Sequence, residues 1–400
     1  MNHDDASTLR AAAGLALAAA VSLGLARFSY ALLLPPMRAD LGWSYFTSGA
    51  MNTVNAAGYL LGALLTPRWL ARRDARTLLL AGSVATALLL AAHGAVRGEA
   101  ALLALRLLSG VASAVLFISG GLLAARLAAG PQTGAAQGSA VTPGLVLGIY
   151  YGGTGLGIVA SAAIVPAAIS LPLAHAWQAA WFALAAAALL ATAAMARATR
   201  RVESRPLATG PGAGFAWRPF AFGLAAYLMF GFGYIGYMTF VVTLLREQGL
   251  PGAQIVAFYV LIGAGVMASS WLWAATLQRF RGGEALALFN GLLAVATLLP
   301  VLSAQPVVVF ASGALFGAVF LSLVASTTAL VRHNLPPASW AGGIGAFTIV
   351  FAAGQIVGPS AVGWVADGPG GLARGFVCSA AALAVGALLA WRQKPLPGAH

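Results

Sequence analysis

The stretch AAAGLALAAAVSLGLARFSYALLLPP, residues 11–36, decides the fold class of this chain. It is apolar apart from Arg27, two serines and one tyrosine. A helix that spans a bilayer needs about 20 mostly apolar residues, and this stretch exceeds that length. It contains no convincing cleavage site and many similar segments follow it. We therefore interpret it as the first spanning helix rather than as a signal peptide.

Eleven further apolar segments of spanning length follow. We number the twelve segments in chain order and place them at about 12–36, 45–66, 77–95, 100–125, 139–165, 176–196, 218–245, 254–277, 284–302, 306–331, 341–365 and 374–391. The longest polar stretch, residues 197–217, is rich in Arg, Pro and Gly and is typical of a linker. We predict an N-terminal six-helix half at 1–196, this linker, and a C-terminal six-helix half at 218–400.

The composition agrees with a membrane protein. Of the 400 residues, 60% are hydrophobic and only 8% are charged, and the mean hydropathy is +0.88. A soluble domain carries about 25% charged residues. The net charge of +13 does not indicate a nucleic-acid partner, because the arginines form short clusters between apolar segments. The one cysteine, Cys378, excludes an intramolecular disulfide, and we expect no metal site and no cofactor.

The basic residues orient the segments. If both termini are cytoplasmic, 16 of the 22 Arg and Lys residues fall on the cytoplasmic side, four fall on the other side, and Arg27 and Arg106 lie within segments. Cytoplasmic loops carry the excess of positive charge. We predict a multi-pass protein of a bacterial inner membrane, monomeric in the bilayer, with both termini in the cytoplasm.

The two halves repeat each other at a near-constant offset. The sequence LLSGVASAVLF at 107–117 parallels FASGALFGAVF at 310–320, an offset of 203 residues. The glycine pair Gly153 and Gly157 in segment 5 corresponds to Gly354 and Gly358 in segment 11, 201 residues later. Six-plus-six parallel repeats are a transporter architecture with its substrate site at the repeat interface. The pattern predicts an all-α integral membrane fold of twelve transmembrane helices in two pseudo-repeats.

Several motifs resemble the major facilitator superfamily over nearly the whole length. They are LLLPPMRADLGWS at 32–44, GALLTPRWLARRDAR at 62–76, RLLSGVASA at 106–114 and GLVLGIYYGGTGLG at 144–157. LGLARFSYALLLPPM at 23–37 and MFGFGYIGYMTFVVTLLR at 229–246 are similar to the YbfB/YjiJ-type branch. The resemblance implies the major facilitator fold, in which segments 1, 4, 7 and 10 line a cavity. Thr66 stands where the family's loop motif has an aspartate, so a gating ion pair of that aspartate is not expected here.

Two arginines within segments are the main site candidates. Arg27 lies nine residues, roughly 14 Å, from the expected outer end of segment 1, and Arg106 lies six residues, roughly 9 Å, from that of segment 4. A buried arginine costs about 2.5–3.5 kcal/mol on insertion scales and by default faces the protein interior. We hypothesise that both bind an anionic group, since guanidinium matches a carboxylate. The alternative for Arg106 is structural: it caps backbone carbonyls or fixes segment 4 to segment 1.

Further candidates are polar or aromatic side chains on other segments. They are Tyr30, Asn52, Asn55, Tyr151, Tyr234, Tyr237 and Gln355. Each alternatively packs helices together, as polar side chains in spanning helices often do. All nine acidic residues and all five histidines fall in loops or at segment ends, with Asp40, Glu247 and Asp367 near the outer mouth as possible coupling groups.

These observations favour a secondary transporter of a small solute, with a small organic anion as its cargo. An exporter of drugs or other amphipathic compounds that uses the aromatic segment 7 is the alternative. A membrane enzyme is not expected, because no segment carries a nucleophile with a base or a cluster of metal ligands. A channel would not need the duplicated, glycine-rich architecture. The sequence contains no phosphate-binding loop for ATP, so ion or solute gradients would supply the energy.

Overall fold

The computed structural model describes residues 3–130, 141–206 and 215–396, and the structure in these ranges is helical, with no strand. The first seven α-helices are α1 His3–Ala19, α2 Tyr30–Leu41, α3 Tyr45–Leu70, α4 Ala75–Ala95, α5 Glu99–Ala128, α6 Pro143–Ile169 and α7 Ala176–Ala198. The others are α8 Ala221–Glu247, α9 Gly252–Leu272, α10 Ala274–Arg279, α11 Glu284–Leu302, α12 Pro306–Asn334, α13 Trp340–Ala366 and α14 Gly371–Trp391. A π-helical stretch, Ala20–Phe28, joins α1 to α2.

Each of the twelve predicted segments corresponds to a helix or a run of consecutive helices. Within the described ranges, eleven helical segments are long and apolar enough to cross a membrane, and the run Asp5–Leu41 is one of them. The twelfth, α3, has 26 residues, six of which are Ser, Thr or Asn, and is less apolar than the other eleven. The all-α membrane fold predicted from the sequence is confirmed.

The first segment is longer than predicted. We expected it to end near Pro36, but α2 continues to Leu41 with Pro35 and Pro36 inside it. Prolines are tolerated in membrane helices because neighbouring helices and polar side chains satisfy the freed backbone groups. Arg27 is therefore fourteen residues from the end of this helical run rather than nine.

The chain forms two compact units. One consists of Met1–Pro36 with Ala57–Thr209, and the other of Met37–Ala56 with Gly210–His400. We call them the N unit and the C unit. The C unit thus includes residues 37–56, which comprise the end of α2 and the first half of α3. The predicted halves 1–196 and 218–400, with the linker between them, remain a prediction.

Paired glycines bring helices together in the same way in each unit. In the N unit, a Cβ on Gly153 would lie 2.0 Å from the carbonyl oxygen of Ala16, and one on Gly157 would lie 2.3 Å from that of Ala20. In the C unit, the same atom on Gly354 and Gly358 would lie 2.3 and 2.5 Å from carbonyl oxygens of α8. Only glycine permits such close backbone approach. The glycine pairs of the sequence repeat therefore make equivalent contacts, α6 with α1 and the π stretch, and α13 with α8.

Candidate functional site

Arg27 lies in the π-helical stretch of the N unit. The backbone N–H of Ser29 donates to the carbonyl oxygen of Gly24, five residues earlier, at 3.0 Å. All nine residues of the stretch are buried, and Arg27 is only 4% exposed. Its guanidinium carbon lies 5.4 Å from the centre of the Tyr59 ring of α3, within cation–π range. π-helical turns are rare and are often found at functional sites.

Arg106 on α5 contacts the same stretch. Its Nη1 donates to the carbonyl oxygen of Ala26 at 3.2 Å, and its guanidinium carbon lies 4.6 Å from the centre of the Tyr30 ring. Arg106 is 1% exposed and Tyr30 is fully buried. The structure therefore brings Arg106 and Tyr30 together beside the residue that precedes Arg27. The bond to Ala26 is the contact that the structural alternative for Arg106 describes.

Tyr151 is the one candidate of the N unit that lies apart from these arginines. It is 43% exposed, and its ring packs at an edge against Tyr150, with the centroids 5.1 Å apart. The neighbouring Tyr150 is buried, and its hydroxyl donates to the carbonyl oxygen of Phe117. These contacts are typical of helix packing.

The remaining candidates lie in the C unit. Asn52 is 4% exposed and its Nδ2 donates to the hydroxyl of Thr239 on α8 at 2.8 Å, while Asn55 is 2% exposed. Gln355 on α13 donates through Nε2 to the hydroxyl of Tyr234 at 2.6 Å, and both side chains are buried. The structure thus pairs two polar candidates, Gln355 and Tyr234, within the C unit.

An aromatic slab surrounds Tyr234. It consists of Tyr227, Phe230 and Tyr234 of α8, Phe351 of α13, and Phe316 and Phe320 of α12, whose neighbouring rings stack with centroids 4.7–5.9 Å apart. Tyr237 extends the slab by stacking on Phe316 at 4.1 Å. Its hydroxyl lies 2.8 Å from that of Ser312, which donates to the carbonyl oxygen of Ala296 at 2.7 Å, so Tyr237 is the donor to Ser312. Tyr237 thereby links α8 to α12.

The carboxylates of Asp367 and Glu247 hold residues 37–56 within the C unit. Both oxygens of Asp367 accept backbone N–H groups at the start of α3, from Tyr45 at 2.8 Å and from Phe46 at 2.9 Å. Glu247 pairs with Arg38 at 3.6 Å and accepts the hydroxyl of Tyr45 at 2.5 Å. Two of the three acidic residues that we considered as coupling groups therefore cap or clamp this segment.

Three polar residues near the ends of the predicted segments, Asp5, Thr66 and His93, are buried. His93 is in the last turn of α4, but it is fully buried and stacks on Trp181 with ring centroids 4.6 Å apart. Asp5 is near the start of α1 and is 4% exposed. Thr66 is buried and donates to the carbonyl oxygen of Gly62 in its own helix at 2.7 Å. Within the described ranges, no three His, Cys, Asp or Glu side chains group as metal ligands would.

Sequence reasoning missed Tyr59, Thr239 and the serines that contact the π stretch. Tyr59 could have been found, because it follows Asn52 and Asn55 at helical spacing and shares their face of α3. Thr239 and the serines had no such signal, because their partners are distant in sequence.

The model of one protein family, described as "Uncharacterised MFS-type transporter YbfB", matches residues 19–391. No curated protein matches the chain significantly in sequence. Among solved structures, the fold is similar to a bacterial homologue of the human lysosomal transporter Spinster in an inward-facing, unoccupied conformation. That similarity has a TM-score of 0.73 and 13% identity and covers 98% of this chain and 97% of the other. The nucleoside transporter NupG is similar with a TM-score of 0.66, 14% identity and 98% coverage of both chains. Such low identities show the fold alone.

Proposed function

The chain belongs to the YbfB-type family of major facilitator superfamily transporters, and we propose that it carries a small organic anion across the membrane by alternating access. The observation that carries this proposal is the burial of two guanidinium groups, Arg27 and Arg106, in helices of membrane-spanning length. The proposed orientation has both termini in the cytoplasm of a bacterial cell, and the proposed working form is a monomer in the inner membrane.

Buried arginines in the N unit suit an anionic group for energetic reasons. An arginine removed from water is costly, and such residues in membrane segments usually line a substrate pathway or a wet cavity. The Tyr59 and Tyr30 rings beside the two guanidinium groups stabilise positive charge through their faces but add no negative charge. A carboxylate that approached Arg27 would form charge-assisted, bidentate hydrogen bonds. Arg27 is the anchor in this proposal, and Arg106 supports it.

The test is a thermal-shift panel on detergent-purified protein. The panel contains benzoate, succinate, amino acids, sugars, nucleosides and cationic dyes, and a ligand that binds the folded state raises the apparent Tm by mass action. We expect carboxylates to stabilise the wild type and Arg27→Gln to remove the effect. A charge-assisted hydrogen bond contributes about 1.5–3 kcal/mol, so affinity should fall by about 10- to 150-fold.

Arg97→Gln is the matched control for Arg27→Gln. Arg97 is exposed and contacts His175 at 2.6 Å, so the same change in net charge occurs away from the buried arginines. Carboxylate stabilisation that persists in Arg27→Gln, or that is lost equally in both variants, would refute the anion site.

The aromatic slab of the C unit supports a second candidate function, export of amphipathic or planar compounds. Stacked rings favour apolar and flat ligands. In this case neutral or cationic amphiphiles stabilise the protein, their affinity rises with apolarity, and Arg27→Gln leaves it unchanged. Nucleosides are in the panel because NupG is described as a nucleoside transporter. If only nucleosides raised the apparent Tm, nucleoside transport would replace both the organic-anion proposal and the export of amphipathic compounds.

A further inference from the structure

Three carbonyl oxygens in the π-helical stretch accept hydrogen bonds from side chains of α5 and α6. The pairs are Ser113 Oγ to Ser22 O at 3.0 Å, Ser161 Oγ to Gly24 O at 3.2 Å, and Arg106 Nη1 to Ala26 O at 3.2 Å. The accepting residues are spaced by two positions, so the donors follow the stretch from its first turn to the residue before Arg27. The hydroxyl of Ser22 returns the bond by donating to the carbonyl oxygen of Ser113 at 2.9 Å.

The local sequence does not account for the π geometry. The stretch AVSLGLARF has no proline, and its Ala, Leu and Arg residues are good α-helix formers. π-helices make up well under 1% of residues in soluble proteins and appear mostly as single turns. A nine-residue π stretch therefore needs stabilisation from outside its own sequence. Side-chain donors to its carbonyl oxygens, each of which has two lone pairs, supply such stabilisation.

A close helix contact makes the Ser161 bond possible. A Cβ on Gly24 would lie 2.3 Å from the Cα of Gly157, so the π stretch and α6 touch through their backbones. Ser161 is one turn after Gly157 and shares its hydroxyl proton between the carbonyl oxygens of Gly157, at 2.9 Å, and Gly24. If either glycine carried a side chain, the two backbones would lie farther apart, and the Ser161 hydroxyl would not reach the carbonyl oxygen of Gly24.

We propose that Ser113 and Ser161 are positioning residues: with Arg106 they hold Ala20–Phe28 in the π-helical register and so set the direction in which Arg27 points. A π turn contains about one residue more than an α turn. One residue of an α-helix corresponds to a rotation of roughly 100° at 3.6 residues per turn. Relaxation of the stretch to α geometry would turn the guanidinium away from its present place beside Tyr59. The consequence for anion binding rests on the proposed function, whereas the bracing of the stretch does not.

The double variant Ser113→Ala/Ser161→Ala tests this positioning role in the full-length, detergent-purified protein. Hydrogen–deuterium exchange of peptides that cover residues 20–30 reports on the stretch itself. Calorimetric titration with benzoate and succinate reports on Arg27. We expect exchange to become at least about tenfold faster and carboxylate affinity to fall by about tenfold, the factor that corresponds to 1.4 kcal/mol.

The matched control is Ser109→Ala/Ser119→Ala. Both serines lie on α5 and are fully buried, and neither hydroxyl has a hydrogen-bond partner among the described residues. This control should leave exchange and affinity unchanged. If the double variant does not fold, Ser161→Ala alone is used in its place. Exchange at residues 20–30 should then be faster than in the wild type, but by less than the tenfold expected of the double variant.

The two readouts separate the possible failures. If exchange at residues 20–30 is unchanged in Ser113→Ala/Ser161→Ala and in Ser161→Ala, the inference that these serines stabilise the π-helical stretch is wrong. Faster exchange with unchanged carboxylate affinity, where Arg27→Gln abolishes binding, would overturn the positioning of Arg27. If carboxylates do not bind the wild type, the proposed function fails, and the exchange experiment still decides whether the serines brace the stretch.

Discussion

Adding one methyl group at Gly153 should separate α6 from α1. An ideal Cβ at this position lies 2.0 Å from the carbonyl oxygen of Ala16, whereas real Cβ atoms essentially never approach closer than 3.0 Å. The helices must therefore move apart by at least about 1 Å, because the obstacle is backbone. Such overpacking costs about 1–3 kcal/mol, against a gain of roughly 0.5–1 kcal/mol from replacing glycine by alanine in a helix. We expect Gly153→Ala to lose about 1–2 kcal/mol.

The neighbouring glycine provides the control. A Cβ on Gly152 would meet no atom within 4 Å, so Gly152→Ala should be neutral or slightly stabilising. At about 2–4 °C for each kcal/mol, the apparent Tm of Gly153→Ala should lie about 2–8 °C below that of Gly152→Ala in the same detergent. Equal Tm values would refute the inference that backbone contact at Gly153 holds α6 on α1. The repeat predicts the same contrast between Gly354→Ala and Gly345→Ala, because a Cβ on Gly345 also meets nothing.

Two other side chains give predictions of a structural kind. Asp367→Ala removes the acceptor of the Tyr45 and Phe46 N–H groups and should cost about 1 kcal/mol, as lost helix caps do, with faster hydrogen exchange at the start of α3. Asp367→Asn should largely restore protection, and a failure of Asn to do so would argue against capping. Tyr237→Phe should lower stability by about 0.5–1.5 kcal/mol through loss of the bond to Ser312, without changing ligand affinity. A large loss of affinity at unchanged Tm would instead make Tyr237 a ligand contact.

The helices could be predicted because each segment must be long and apolar enough to cross the bilayer. The segments at 77–95 and 284–302, for example, correspond closely to Ala75–Ala95 and Glu284–Leu302. Hydropathy and length suffice for this, since every spanning backbone must satisfy its own hydrogen bonds. The end of the first segment was wrong by five residues, because Pro36 is a stop signal in water but is tolerated within a membrane helix.

The geometry around Arg27 could not be predicted in the same way. Depth and charge marked Arg27 and Arg106 as buried, and the structure confirms their burial. The π register, however, depends on partners far along the chain: Ser113 lies 91 residues from Ser22, and Ser161 lies 137 residues from Gly24. No local pattern in residues 20–28 encodes such contacts. The hydrogen bond between Gln355 and Tyr234 could not be predicted for the same reason, because these residues are 121 positions apart.

The contact between Tyr45 and Asp367 also imposes an order on biosynthesis. These residues are 322 positions apart, and at about 5–20 residues per second a ribosome needs roughly 15–65 s to pass from one to the other. Through that interval α3 lacks the carboxylate that later caps it, and for more than half of the interval it also lacks the Thr239 hydroxyl that Asn52 later binds. The first half of α3, residues 45–56, thus waits for these partners, whereas Tyr59 in its second half meets Arg27, which has already been made. The first turns of α3 therefore gain their final contacts only after most of the C unit has been made.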